Sequence, residues 1–294
     1  LTAHEYRLAV AAGVSRLAQH GANLIVMPAH LGMAGATLGR TTPTGKHGFE
    51  AIAWAASTVS GSQTGDWQDF YAASALSNKV YLCPGSYWAQ VSGGYLHRAE
   101  LYSPKGDIVG EVLQTHSTER EEQAGLLCGA TLPTFRVAGM IVGFELATDA
   151  WYPEVGRIHA LQGADVIVAL TAVPAPYTVW RQTAGLWQVV QANQVFGIEA
   201  SLSGGWLSTT YQGRSRAFVP VEFCEGGRGV LAETTSDSDS DDFLVSLDAA
   251  TLEEARSAFP VFDHFNVDLY SRSLSDAYLT ARAVKVAAPT ERRR

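Results

Sequence analysis

Three cysteines, eight histidines and a set of scattered carboxylates are the groups in this chain able to attack, bind a metal or move a proton. Cys83, Cys128 and Cys224 are widely spaced and form no Cys-x-x-Cys pair, so neither a disulfide framework nor a zinc site is expected. None of them closes a strand and opens a helix, so a buried small hydrophobe is the ordinary role for each. The stretch best placed for chemistry is residues 137–170, VAGMIVGFELATDAWYPEVGRIHALQGADVIVAL. It reads as a buried strand over 137–142, a sharp turn at Gly143, a loop ending in Tyr152-Pro153-Glu154, a helix, and a second buried strand over 165–170. A turn at the carboxyl end of a strand is where layered α/β proteins place reacting groups. A nucleophile is expected at that bend, and glycine stands there.

Other elements must position this stretch. Apolar residues at helical spacing over 2–20 predict a helix capped by Thr2 and stopped by Gly21, followed by a buried strand over 23–27. Helix, Gly21-Ala22-Asn23 and buried strand are echoed by helix, Gly163-Ala164-Asp165 and buried strand, so two similar α/β layers are expected. A Gly/Thr-rich loop covers 32–49, a helix 66–77 and a strand 80–83. A hairpin joins 95–102 to 108–112 through the turn Ser103-Pro104-Lys105-Gly106-Asp107. A helix over 183–194, a strand over 196–202, a last strand over 243–247 and a helix over 252–257 complete the pattern. The acidic stretch 234–242, TTSDSDSDD, lacks the glycine and distal glutamate of a calcium loop and reads as a solvated turn.

With 294 residues, 47% of them hydrophobic, the chain can bury a large core. A formal net charge of -8 argues against nucleic acid and anionic membranes as partners. No apolar run approaches the roughly 20 residues of a membrane span, and the cysteine usage points to a reducing, cytoplasmic setting. No cofactor is implied.

Several short segments resemble the nitrilase superfamily, the carbon-nitrogen hydrolases: Phe144-Glu145, Tyr152-Pro153-Glu154 and Gln162-Gly163-Ala164-Asp165; Pro28 closing the first strand; Thr115-His116 after the hairpin; and Asp268-Leu269-Tyr270 near the end. The resemblance implies a four-layer αββα sandwich over residues 1–270, with a C-terminal extension, 271–294, that reaches a neighbouring subunit. The family opens with a strand before the first helix, so sequence upstream of Leu1 is expected. It also implies assembly into a homo-oligomer or a larger complex through helices flanking the elbow, with Trp151, Tyr152 and Trp187 as candidate contacts.

The family's glutamate base, lysine and cysteine fall, by resemblance, at Ala29, Gln114 and Gly143, with residues 147–150 as a short insertion. Alanine moves no proton, glutamine carries no charge and glycine cannot attack, so the thioester route is lost. Glu122 matches the place of a second, substrate-orienting glutamate, or belongs to a solvated acidic run. His30 and His116 lie near the degenerate pocket. The expectation is a catalytically silent member acting as a structural, regulatory or ligand-binding subunit, with its pocket either filled by rings such as Phe144, Trp151 or Trp180 or open to a small molecule. The alternative is an active C-N hydrolase or amidase with a relocated site, built for instance from His116, Glu122 and Glu145.

Overall fold

A computed structural model describes residues 2–238 and 241–287. They fall into two compact units, Leu1–Glu253 and Glu254–Arg294.

The first unit is organised by two sheets. One contains β1 (Leu24–Val26), β2 (Tyr81–Cys83), β3 (Ser86–Val91), β4 (Gly94–Tyr102), β5 (Ile108–Leu113) and β6 (Leu126–Leu127), along the path β1-β2-β4-β3 with β5 and β6 also on β4. The other runs β14-β13-β10-β9-β8-β7: β7 (Thr134–Val137), β8 (Met140–Leu146), β9 (Val166–Thr171), β10 (Phe196–Ser201), β13 (Arg216–Phe218) and β14 (Val230–Glu233). Its centre, β8-β9-β10, is parallel, and its flanks are antiparallel. A small hairpin, β11 (Gly204–Trp206) with β12 (Thr209–Tyr211), stands apart.

Ala99, Leu101 and Val112 of the first sheet pack on Val142, Phe144, Leu146, Val168 and Leu170 of the second. Strands buried on both faces read as continuous apolar runs, which is why the second sheet was so visible in sequence. On the outer face of the first sheet, Tyr6, Val10 and Val14 of α1 (Ala3–Gln19) and Trp67, Tyr71 and Ala75 of α4 (Gly61–Asn78) cover Ile25, Leu82 and Tyr102. The short helices α2 (Ala34–Thr37) and α3 (Gly48–Ser57) lie between them in sequence, so α2 interrupts the loop expected over 32–49. On the outer face of the second sheet lie α6 (Pro153–Leu161) and α8 (Gln188–Asn193), so close that a Cβ on Gly156 would stand 2.2 Å from Val189. The layers are helix, sheet, sheet, helix, as expected.

The internal echo is structural. Gly21 and Gly163 both adopt positive φ, at 95° and 85°. Each half closes its helix with the same pair of bonds: Gly21 N to Ala18 O with Ala22 N to Leu17 O, and Gly163 N to Ala160 O with Ala164 N to His159 O. That is the Schellman pattern, whose left-handed position favours a residue free of Cβ.

Some expectations need correction. The bend placed at Gly143 is absent: Gly143 lies inside β8, paired with Thr134 on one side and Ile167 on the other. A Cβ there would stand 2.6 Å from Cγ of His159, so this glycine makes room for α6 rather than for a turn. The strand runs on to Leu146, and the residue in left-handed backbone is Ala147, φ 49°. Of the helix expected over 183–194, the first part is a wide turn through Gly185, preceded by the short α7 (Val179–Gln182), and only α8 is regular. Residues 243–247 form no strand.

The helix expected over 252–257 is α9 (Ala249–Ala258). In the second unit, α10 (Val267–Ala287) follows an aromatic corner in which Phe262 meets Phe265 and Phe265 meets Tyr270, both edge-on. Thus most of the segment 271–287 is helical; the chain's last residues, 288–294, lie outside the described residues, as do two of the acidic stretch, 239 and 240.

Candidate functional site

Two strand ends and one hairpin end build the site. β8 delivers Ala147 into a short 3-10 turn (Ala147–Trp151), and Pro153 then starts α6 at its first position, where proline's fixed φ suits a helix and its missing N–H costs nothing. A left-handed alanine is strained by roughly 1–3 kcal/mol and persists only where its surroundings over-determine it. Here the determinant is Asp149, 1% exposed. Its carboxylate accepts from Thr115 N at 3.0 and 3.1 Å, Thr115 Oγ1 at 2.8 Å, His116 N at 2.8 Å and Leu146 N at 3.5 Å. Burial raises the Asp149 pKa, and the donors from Thr115 and His116 pull against that rise. The elbow is thereby tied to the end of β5, where Gln114 stands.

Gln114 is buried and sits at the centre of a polar chain. Its amide nitrogen lies 2.7 Å from Thr148 Oγ1, beside the elbow, 2.6 Å from His116 O and 3.2 Å from Glu121 Oε1. Its amide oxygen faces His97 Nδ1 at 2.5 Å, and His97 Nε2 faces Ser86 Oγ at 2.6 Å. Because an amide oxygen can only accept, Nδ1 carries the imidazole proton and Nε2 accepts from the serine. Burial holds the His97 pKa down at about 4, which fits this neutral tautomer.

The connectivity serine, histidine, amide is that of a base-assisted hydroxyl. Yet Ser86 is 0% exposed, and His30 N already donates to its Oγ at 3.3 Å. The chain therefore works as a sealed brace between strands.

At the end of β1, Ala29 is fully buried in the core between the sheets. The next residue, His30, has φ 68° and its ring lies between His97 and Trp206, at centroid distances of 5.1 and 5.3 Å. Burial pushes the His30 pKa well below its ordinary value, with His97 adding to the effect. The β11–β12 hairpin delivers Trp206, whose Nε1 donates to Thr37 Oγ1 at 3.3 Å.

The remaining candidates separate. His116 stacks on Tyr152 at 3.9 Å and contacts Asp149. Glu145 points away from the elbow, to the helix side of β8, and its carboxyl has no hydrogen-bond partner among the described residues. Burial raises its pKa well above the usual carboxylate range, with Asp149 nearby adding to the rise. Glu122 lies on the surface turn of α5 (Glu119–Gln123), where its carboxylate accepts from Ser117 Oγ. The carboxylate beside Gln114 is instead Glu121, which sequence reasoning missed. Its signal was legible: Thr118-Glu119-Arg120-Glu121 is a capping box, and that geometry turns the last residue back over the helix start.

Phe144 is core, 1% exposed, whereas Trp151 and Trp180 are 43% and 63% exposed and fill no pocket. Trp187 is half-buried and donates to Arg228 O. Cys83 is buried in β2, which pushes its thiol up to about 12; Cys128 is exposed and contacts Ser117 Oγ; Cys224 contacts Val230 O. Among the described residues no cluster of His, Cys, Asp and Glu has the form of a metal site, and no helix is long and apolar enough to cross a membrane.

Known proteins place this arrangement. N-carbamoylputrescine amidase of Oryza sativa subsp. japonica is 22% identical over 64% of this chain and 66% of its own length. A probable nitrilase of Schizosaccharomyces pombe is 29% identical over 58% of this chain and 60% of its own. The chain thus spans just under two thirds of the curated relatives it matches. Among solved structures, a carbon-nitrogen hydrolase of Helicobacter pylori G27 superposes with TM-score 0.73 at 20% identity, covering 93% of this chain and 94% of the other. An amidase of Nesterenkonia sp. AN1, carrying acrylamide added at its active-site cysteine, gives 0.68 at 18% identity over 88% and 93%. The family model described as carbon-nitrogen hydrolase matches residues 3–220, and the chain belongs to that family.

Proposed function

We propose that this chain is a catalytically silent carbon-nitrogen hydrolase that serves as a structural, regulatory or ligand-binding subunit. One observation carries the proposal. The strained, hydrogen-bonded elbow after β8 holds an alanine, Ala147, and the side chain reaching it from β5 is the neutral amide of Gln114. In this assignment Ala147, rather than Gly143, takes the nucleophile's place, and residues 147–150 are no insertion. Gln114 takes the cation's place and Ala29 the base's.

A methyl group attacks nothing, and loss of a nucleophile alone costs on the order of 10⁶ in turnover in a triad enzyme. The expected result is no ammonia release by the purified full chain from short amides, nitriles or N-carbamoyl amines. Turnover abolished by capping a thiol would overturn the proposal. Turnover that survives thiol capping and is abolished by His116→Ala would instead support the second reading, a relocated site, at a half-buried imidazole stacked on Tyr152 and in contact with Asp149. Assembly as a homo-oligomer or in a larger complex is part of the proposal, since Trp151, Tyr152, Ile158 and Leu161 leave an exposed apolar face along α6. A cytoplasmic setting accords with three free cysteines.

A further inference from the structure

The α1 side of the first unit carries a cleft of about 490 Å3, bounded by the first turn of α1, the segment after β1 and the first half of α4. Its volume falls in the range of small-molecule sites, roughly 300–1,000 Å3. None of Ala29, Gln114 and Ala147 lines it.

Its charge is opposite to that of the chain. The protein carries a net -8, yet this cleft presents the guanidinium groups of Arg7 and Arg40 beside His4, against the one carboxylate of Asp66. Both arginines have neutral partners alone among the described residues. Arg40 donates to Thr58 O at 2.8 Å and Gln63 Oε1 at 3.4 Å. Arg7 donates to Asp66 O at 3.4 Å and lies over the rings of Trp67 and Phe70, at 4.5 and 5.4 Å. A guanidinium has five N–H donors in a planar fork that matches an oxyanion, so each keeps donors to spare.

Their spacing is set by α4. Arg40 is anchored on the side-chain oxygen of Gln63 and Arg7 on the main-chain carbonyl of Asp66, three residues further along the same helix. Both cationic forks line the one cleft, where an oxyanion can meet them together. Trp67, Leu38 and Ala36 supply an apolar side to the same opening.

We propose that this cleft binds a small organic anion, its carboxylate or phosphate group between Arg7 and Arg40 and its apolar body against Trp67 and Leu38. The proposal does not rest on the elbow being silent.

The test is calorimetric titration of the full chain with inorganic phosphate and with benzoate, each against chloride at matched ionic strength. Saturable binding of either anion is expected, and its identity distinguishes a phosphate from a carboxylate ligand. Arg7→Gln and Arg40→Gln should each weaken binding at least tenfold, with the native circular dichroism spectrum retained in ligand-free buffer. A second measurement needs no variant: phenylglyoxal should modify Arg7 and Arg40 several-fold more slowly when the anion is present, read by peptide mass spectrometry. No saturable binding of either anion overturns the proposal. So does binding that survives in the Arg7→Gln/Arg40→Gln protein, or modification at an unchanged rate.

Discussion

The ends of β1 and β8 solve one problem in two ways. Each strand runs out into a non-glycine residue of left-handed backbone, His30 at φ 68° and Ala147 at φ 49°. At β1 the strained residue is held by rings: His30 is wedged between His97 and Trp206. At β8 it is held by hydrogen bonds, because Asp149 gathers the amides of Thr115, His116 and Leu146 around the turn. A ring wall excludes solvent and leaves nothing to react with. A ring of donors keeps a small residue presented beside Tyr152 and Thr148. The second end presents an alanine, whose methyl group offers no reactive atom.

Substitutions can break this comparison, starting with the largest effect. Asp149→Ala should cost about 3–5 kcal/mol, because it orphans buried N–H groups on two elements at once; urea denaturation measures it, and a cost below 1 kcal/mol would mean that the carboxylate does not hold the turn. Acid should weaken the ring wall next. His97 titrates at about 4 when folded, against 6.5 for the ordinary imidazole. Between those values the unfolded chain takes up a proton that the folded one refuses, so stability falls as the pH drops from 6.5 towards 4, by about 3 kcal/mol. His97→Gln should lose that part of the slope in denaturation curves collected across this range.

The smallest pair has opposite signs. Gly143→Ala should destabilise by about 1–3 kcal/mol, since its Cβ meets the His159 ring at 2.6 Å. Ala147→Gly should stabilise by about 0.5–1 kcal/mol by relieving the left-handed strain. Thermal melts of the two variants locate the elbow, and reversed signs would return it to Gly143.

The second sheet was legible because its central strands are continuous apolar runs, and the layering because both Gly-Ala-Asn/Asp segments carry the same helix stop. The entry to α6 was legible too, since Tyr152-Pro153-Glu154 puts proline where a helix tolerates it. The elbow itself was not. A glycine among apolar residues reads as a turn, but glycine is also chosen where a neighbour needs the space, and the pattern 140–146 does not distinguish the two uses. Alanine carries no mark of positive φ, so Ala147 passed as ordinary chain. Glu122 was preferred to Glu121 by counting from Gln114, whereas the capping box sets which carboxylate turns inward. The Ser86–His97–Gln114 chain joins residues from three strands whose contact no local pattern encodes.

The His159 imidazole, lodged over Gly143 and 3.2 Å from the Phe144 carbonyl, has a mechanical consequence. It acts as a peg between the last turn of α6 and β8, set against a slide of that helix along the strand.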